Sequence, residues 1–326
     1  MPNFNGVWSL TTQLQYAADW PSPILSAGRA LFAGGYGGNA YKNIIDFINI
    51  ESTGNASDFG DLSDSPYQAG ALSSKTRAVF AGGENSSAQR INVMEYVTIA
   101  SEGDATDFGD LLQVNRASAG SSSNTRGLFS GGYTTSNVAL NVIQYITIAN
   151  TGNASDFGDL TESVWQPAAL SSTTRSVRGG GKVSSDTNVM DYITIASTGD
   201  ASDFGDLSEI KQGLSACSSP TRGLFGGGNG SQNTSGNKNE IEYITIASTG
   251  NVTDFGDLTS VKYVMAAGSS HLRGVFAGGI SSSELDVIEY VTIATTGDVT
   301  DFGNLTVGRY GLAIGNASAA HGGLAA

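Results

Sequence analysis

Carboxylates recur through this chain in one short setting. Asp-Phe-Gly-Asp-Leu stands at Asp58–Leu62, Asp107–Leu111, Asp156–Leu160, Asp203–Leu207 and Asp254–Leu258, and Asp-Phe-Gly-Asn-Leu at Asp301–Leu305. Carboxylates and a glycine at this spacing could offer oxygen ligands to a hard cation such as calcium. The denser Asp-x-Asp-x-Asp-Gly pattern is missing, however, and the sixth copy ends in Asn304. A structural role is the better expectation. Phe59, Phe108, Phe157, Phe204, Phe255 and Phe302 would pack between repeated units, while Asp58, Asp107, Asp156, Asp203, Asp254 and Asp301 accept backbone N–H groups in turns. The second recurring charge is a cation: Arg29, Arg77, Arg126, Arg175, Arg222 and Arg273. A ring of arginines could grip an anion, but unpaired they would repel one another, so pairing with the repeated aspartates is expected.

Catalytic chemistry finds few residues to use. The two histidines, His271 and His321, fall in a turn and near the C-terminus, and neither recurs. Gly-x-Ser-x-Gly, His-Glu-x-x-His and the Walker phosphate loop are all missing, and no glycine-rich loop or catalytic-loop motif accompanies the Asp-Phe-Gly triplets. The single cysteine, Cys217, follows Leu214, Ser215 and Ala216 and reads as a small core residue. One cysteine rules out an internal disulfide framework and a cysteine-based zinc site. An active site normally breaks the symmetry of a repeat, whereas these acids keep it. A non-enzymatic protein without cofactor or metal is therefore expected.

The elements that carry these residues repeat as well. From Asp58 through Asp301 the motifs are 49, 49, 47, 51 and 47 residues apart, so nearly the whole chain is one unit written six times. A period near 50 suits a propeller blade of about four strands. In the second unit, Tyr67–Ser73 (strand A) leads through a turn to Arg77–Gly83 (B). A polar loop, then Asn92–Ala100 (C), a Ser-Glu-Gly-Asp turn and Ala105–Leu111 (D) follow. The C runs are the strongest strands, rich in Val, Ile, Tyr and Thr. Both of their faces are largely apolar, as in a sheet sandwiched between two like sheets. Gly followed by Asn or Asp between C and D (Gly54-Asn55, Gly152-Asn153 and equivalents) predicts a tight hairpin. Strand A, made of Ala, Gly and Ser, belongs at the crowded centre, and the short D strand forms the outer edge.

Six B, six C and six D strands can be counted, but Arg29–Gly35 has no good A strand before it. The last A run, Arg309–Gly315, has no B strand after it, so its pairing with Arg29–Gly35 would close the ring; Pro23–Ser26 competes for that place. The expected fold is an all-β, six-bladed propeller of four-stranded antiparallel blades over residues 23–316. An N-terminal arm (1–22) and an Ala/Gly/Ser-rich tail (317–326) flank it.

Composition agrees with this outline. The chain has 326 residues, 44 of them glycine, and only 14% are charged, which disfavours helices. Net charge is −14, and eleven of the thirty acids lie in the six motifs, so the excess decorates the repeat. That sign speaks against nucleic acid as a partner. Met1–Trp20 lacks the basic start and apolar block of a secretion signal, and no run of about 20 apolar residues is present to span a membrane.

Recognition would sit where the units differ. The B–C loops vary most: Tyr36–Lys42, Glu84–Arg90, Tyr133–Leu140, Lys182–Thr187, Asn229–Asn239 and Ile280–Leu285, all at one end of the ring. Within them Tyr36, Tyr41, Arg90, Tyr133, Asn229, Asn233 and Lys238 are candidate contacts, and the longest loop could meet sugars through amides and hydroxyls. The C-strand tyrosines Tyr96, Tyr145, Tyr192, Tyr243 and Tyr290 look buried, which argues against a lectin built on them. In the arm, Trp8 and Trp20 are two of only three tryptophans, and Leu10 and Leu14 recur at helical spacing, so this segment suits attachment to another chain.

Two resemblances follow from these residues. The Gly-Gly pair closing each B strand (Gly34-Gly35, Gly82-Gly83, Gly131-Gly132, Gly180-Gly181, Gly227-Gly228, Gly278-Gly279) and the later tyrosine resemble the kelch repeat family. The distance between them is longer here, and the kelch tryptophan is absent. The arm's Asn5-Gly-Val-Trp-Ser-Leu-Thr-Thr-Gln, its Asp19-Trp-Pro21, and the Ser-Thr-Gly-Asn-Ala-Ser-Asp-Phe-Gly-Asp-Leu units look like segments of tailed-phage virion proteins, marine phages especially. This resemblance implies a tail or fibre component located in the virion, made in the host cytoplasm and present in many copies. Its partners would be other virion proteins, held through the arm, and a host-surface glycan. A lectin-type propeller is the alternative.

Overall fold

The structure, a computed structural model, describes residues 28–230 and 236–318. Among these residues every regular element is a β-strand. The N-terminal arm with Trp8, Leu10, Leu14 and Trp20, the competing segment Pro23–Ser26, and Asn233 lie outside the described residues.

The strands form six blades around one axis. Blade 4 is typical: Ala168–Ser171, Arg175–Gly179, Val189–Thr194 and Ser202–Asp206 pair in order as antiparallel neighbours. The short strands A (Gly70–Ser73, Ala119–Ser122, Ala168–Ser171, Ser215–Ser218, Ala266–Ser269) are innermost and fully buried, as their small side chains allow. Among the described residues every pair of neighbouring blades shares a large apolar cluster. One joins Leu31, Ile45, Phe59 and Leu62 of the first blade to Phe80, Val97 and Ile99 of the second. Another joins Phe302 and Ile288 of the last blade to Phe32 and Ile48 of the first, so the ring is closed.

The Asp-Phe-Gly triplet is a β-bulge. Opposite it Ile45 pairs with Gly60 and Asp46 with Asp58, which leaves Phe59 as the extra residue, and the same shift recurs in every blade. The bulge turns the phenylalanine into the inter-blade cluster while both aspartates of the motif face solvent or lie half-exposed. Burying each such ring contributes about 1.5–3 kcal/mol.

Neighbouring blades are also stitched together by backbone. In the pair formed by blades 1 and 2, Gly103 N donates to Phe59 O at 2.8 Å and Ala105 N to Asp61 O at 2.8 Å, and Asp61 N donates to Asp104 Oδ1 at 3.0 Å. All six junctions repeat this, including the closing one, where Asn304 N donates to Asn55 Oδ1 at 3.0 Å. Two expectations are corrected here. The side chain accepting the backbone N–H is the Asn or Asp of the Gly-Asx pair, not the aspartate of Asp-Phe-Gly. Gly-Asx itself is not a tight hairpin but an extended link docked on the preceding blade. The motif glycine is needed for that approach: a Cβ on Gly60, at φ 147°, would lie 2.5 Å from the Gly103 carbonyl.

The six arginines also depart from expectation. They do not pair with the repeated aspartates. Each lies over the C-strand aromatic of its own blade, as Arg77 over Tyr96 at 4.5 Å and Arg175 over Tyr192 at 4.2 Å. Each then donates to a backbone carbonyl at the end of the next blade's C strand, as Arg77 Nη1 to Ile148 O at 3.1 Å and Arg273 Nη1 to Ile50 O at 3.0 Å. The carbonyls ending a strand lack partners, and a planar guanidinium that caps them satisfies both sides.

The C-terminal segment completes the first blade. Ala313 N donates to Ala33 O at 3.0 Å, Leu31 N to Ala317 O at 3.1 Å, and Ala30 bridges Ser318 antiparallel. Arg309–Gly315 therefore supplies the start of the missing strand, and the pairing runs two residues beyond position 316. In between, Ile314 and Gly315 leave the blade and pair with Gly70 and Ala71 of blade 2, while Gly315 also pairs with Gly120 of blade 3. Asn316 reaches blade 6, where its Nδ2 donates to Ser269 Oγ at 2.6 Å. The segment thus crosses the central channel.

Candidate functional site

The two ends of the ring differ in how strictly they repeat. At the end carrying the A–B turns, the last residue of each A strand is serine: Ser73, Ser122, Ser171, Ser218, Ser269 and Ser318. Their hydroxyls link blade to blade, Ser122 Oγ donating to Ser73 O at 2.7 Å, Ser171 to Ser122 at 2.8 Å, Ser218 to Ser171 at 2.7 Å and Ser269 to Ser218 at 2.8 Å. Ser73 Oγ donates to Ser318 O at 2.9 Å.

The end carrying the B–C loops has a backbone ring of its own. Gln68 N donates to Gly311 O, Ala117 N to Gln68 O, Gln166 N to Ala117 O, Gly213 N to Gln166 O, Val264 N to Gly213 O and Gly311 N to Val264 O, all between 2.7 and 3.0 Å. This closed cycle encircles the axis and constricts the channel. Every member has positive φ, from 46° at Val264 to 64° at Gly311. Strain at the non-glycine members is offset by the cooperative ring.

Immediately outside this ring the repeat breaks down. The residue before each ring member is Tyr67, Arg116, Trp165, Gln212, Tyr263 or Tyr310, and each bridges antiparallel to the first B–C loop residue: Glu84, Tyr133, Lys182, Asn229, Ile280 or Tyr36. Twelve positions of matched geometry thus carry varied chemistry around the channel mouth. Between blades 1 and 2, Tyr36, Tyr41, Tyr67 and Tyr310 form a closed cycle of edge-to-face rings with centroids 5.4, 6.3, 5.7 and 5.7 Å apart. Gly311 is obligatory beneath it, since a Cβ there would sit 1.9 Å from the Tyr67 ring.

Between blades 2 and 3 lies a charged cluster. Glu84 Oε2 is 2.6 Å from Arg116 Nη1 and 3.9 Å from Arg90 Nε, and Tyr41 donates its hydroxyl to Glu84 Oε1 at 3.1 Å. Arg90 lies over Tyr133 at 4.6 Å, Tyr133 stacks on Trp165 at 4.9 Å, and Arg90 Nη2 donates to Asn137 Oδ1 at 2.8 Å. Burial holds the Arg90 guanidinium below its usual range, and the neighbouring Arg116 adds to this. Burial first, and then the Glu84 hydrogen bond, raises the Tyr41 hydroxyl above its ordinary value. Burial likewise raises Tyr67 and Tyr310, so these phenols stay protonated at neutral pH.

Of the loop candidates, Tyr36, Tyr41, Arg90 and Tyr133 converge on this mouth. Asn229 also stands at the mouth, but its side chain holds its own loop, donating from Nδ2 to Asn237 Oδ1 at 2.9 Å, and Lys238 pairs with Glu209 at 2.8 Å. The C-strand tyrosines are half-buried beneath their arginines, each edge-on to the motif phenylalanine. Sequence reasoning missed Tyr67, Arg116, Trp165 and Tyr310, although one position reading Tyr, Arg, Trp, Gln, Tyr, Tyr in an otherwise constant repeat is the signal that marks them. Cys217 is fully buried in an inter-blade cluster, where desolvation raises its thiol well above the usual range. Among the described residues no group of three or more His, Cys, Asp or Glu is placed to hold a metal ion.

The chain matches no protein-family model and no curated protein.

Proposed function

We propose that this propeller is a non-enzymatic, kelch-like structural component of a phage particle, a tail or tail-fibre part anchored through its N-terminal arm and turning its B–C loop face toward the host surface. The observation that carries the reading is the division of labour within the ring. Five faces of the repeat (core, outer edge, inter-blade stitching, arginine caps and serine ring) are nearly invariant, while variation concentrates at one mouth. That pattern suits a rigid holder for a single recognition surface. The likeness of the arm and repeats to phage virion segments supplies the setting, with other virion proteins as partners and many copies per particle.

Particle incorporation tests it. Deleting residues 1–22 is expected to abolish co-purification with assembled particles while leaving the ring folded. Normal incorporation without the arm, or a chain purified only as a free monomer, would overturn the reading.

A lectin-type propeller is the second reading, favoured by the four-tyrosine cycle and the Tyr133–Trp165 stack at the mouth. Aromatic faces beside a few polar groups are common in sites for sugars and other small ligands. Binding on a glycan array by protein free of any particle would favour it.

A further inference from the structure

Several buried side-chain polar atoms stand without hydrogen-bond partners where blades 2 and 3 meet at the loop face, and others lie in blade 5, where Lys211 and Glu242 form an ion pair at 2.6 Å. Among the described residues, the Gln68 amide (both atoms), Arg90 Nη1, Arg116 Nε and Ser118 Oγ are buried without hydrogen-bond partners, and all lie where blades 2 and 3 meet at the loop face. Gln68 is 1% exposed and belongs to the backbone ring at the channel mouth. Folded proteins rarely leave such groups unsatisfied, and functional sites are among the places where they do.

The same sector is short of negative charge. Arg90 and Arg116 share one carboxylate, Glu84, which leaves a net positive charge in a chain whose total is −14. None of the five equivalent junctions repeats this trio, because the positions matching Glu84 carry Tyr36, Tyr133, Lys182, Asn229 and Ile280. A guanidinium offers a planar fork suited to a carboxylate, and a pair of them can hold one from two sides. Access comes from a groove lined by Ala88, Gln89, Arg90 and Thr135, and Arg90 and Arg116 keep 11% and 17% of their side chains exposed. The Arg90–Asn137 bond is exposed, so exchanging Asn137 for a ligand carboxylate leaves no buried group unsatisfied. Beside Arg90, Tyr133 lies between the guanidinium at 4.6 Å and the Trp165 ring at 4.9 Å, and both rings are only half-buried.

We propose that the junction of blades 2 and 3 at the channel mouth is a binding site for a carboxylate-bearing sugar of an acidic polysaccharide. Arg90 and Arg116 take the carboxylate, and the half-buried edges of Tyr133 and Trp165 pack against the sugar ring. The alternative anion, phosphate of a nucleic acid, fits poorly with one net positive charge on an acidic chain.

This proposal rests on reading the loop face as the recognition surface, not on the arm or the particle. Titration calorimetry of the full chain against a uronic-acid tetrasaccharide, and against the same tetrasaccharide with its carboxyls reduced to alcohols, tests it. The uronate is expected to bind, and the reduced sugar to bind roughly tenfold or more weakly. Arg90→Gln and Trp165→Ala should each weaken uronate binding by roughly tenfold. Thr135→Trp, at an exposed position, should block the groove without touching the core. Thermal melting of each variant separates lost binding from lost fold. No uronate binding, equal affinity for both sugars, unchanged binding by folded Arg90→Gln and Thr135→Trp variants, or preference for an acidic peptide would each overturn the site. Particles carrying Arg90→Gln should still incorporate the protein, so a failure here is distinguishable from failure of the virion reading.

Discussion

At the scale of single residues, the six repeats act as an internal record of which side chains depend on one another. The C-strand position before the aromatic carries Asp46, Glu95, Gln144, Asp191, Glu242 and Glu289, and all of these are buried. The position that meets it, just before strand A, carries Arg309, Pro66, Asn115, Val164, Lys211 and Lys262. Where that residue is a cation it pairs with the acid: Arg309–Asp46 at 2.9 Å with both side chains 0% exposed, Lys211–Glu242 at 2.6 Å and Lys262–Glu289 at 2.5 Å. Where it is Asn115, the partner strand has the neutral Gln144. Where it is Val164, the charge comes from Arg178 instead, standing where other blades have phenylalanine and holding Asp191 at 2.5 Å. Two consequences follow for stability. Lys262→Met should cost about 3–5 kcal/mol by stranding Glu289, and Lys262→Met with Glu289→Leu should recover most of it, as read from urea unfolding. Arg178→Phe, though it restores the residue of the other blades, should also destabilise, because Asp191 would be left buried and unpaired. The motif glycine makes the third: Gly109→Ala puts a Cβ 2.5 Å from the Gly152 carbonyl, and should cost about 2 kcal/mol or more in the same assay.

At the scale of elements, closure depends on a strand that breaks its own pattern. Every other A strand runs four residues from its first small residue to its serine, as Ser215–Ser218 does; the sixth needs Ala313 through Ser318. The two additional residues cross the channel and tie blade 1 to blades 2, 3 and 6. Removing residues 313–326 should therefore do more than trim an end. It exposes the edge of Arg29–Ala33 and opens the serine ring at Ser73. A melting temperature lower by about 10 °C or more, with aggregation, is expected, since an open sheet edge is sticky. Ser171→Ala, by contrast, loses one hydroxyl-to-carbonyl bond and should cost only about 0.5–1.5 kcal/mol.

At the scale of the whole molecule, acidity is spread around the outer edge. The clearest consequence is at Asp257, whose carboxyl is held above the ordinary aspartate range by desolvation first, then by Asp298, Glu240 and Asp254. A raised acid pKa means that the folded state binds a proton more readily than the unfolded chain. Stability from this group should therefore rise as pH falls through the window just above the ordinary aspartate range, and decline as pH returns to neutral. Melting temperature measured against pH should show this trend, weakened in Asp257→Asn. At neutral pH, raising ionic strength from about 0.02 to about 0.2 M should raise the melting temperature, since salt screens like charges between exposed groups.

The amino-acid sequence by itself determined the architecture. A motif recurring every 47–51 residues fixed six units, and runs such as Val93–Thr98, apolar on both faces, required sheets packed on sheets. Small residues dictated which strand is innermost, and Arg309–Gly315, left over at the end of the chain, identified the closing strand. These features are legible because they depend on local pattern and on repetition. Partnership was decided only by the tertiary structure. The arginines cap carbonyls of the next blade rather than pairing with aspartates, Asx residues reach across a junction, and Tyr67, Arg116 and Trp165 meet loops from their neighbours at one mouth. Each of these contacts joins residues about 20 to 70 positions apart or more, brought together by the curvature of the ring, and no periodicity along the chain encodes which surfaces that curvature places face to face.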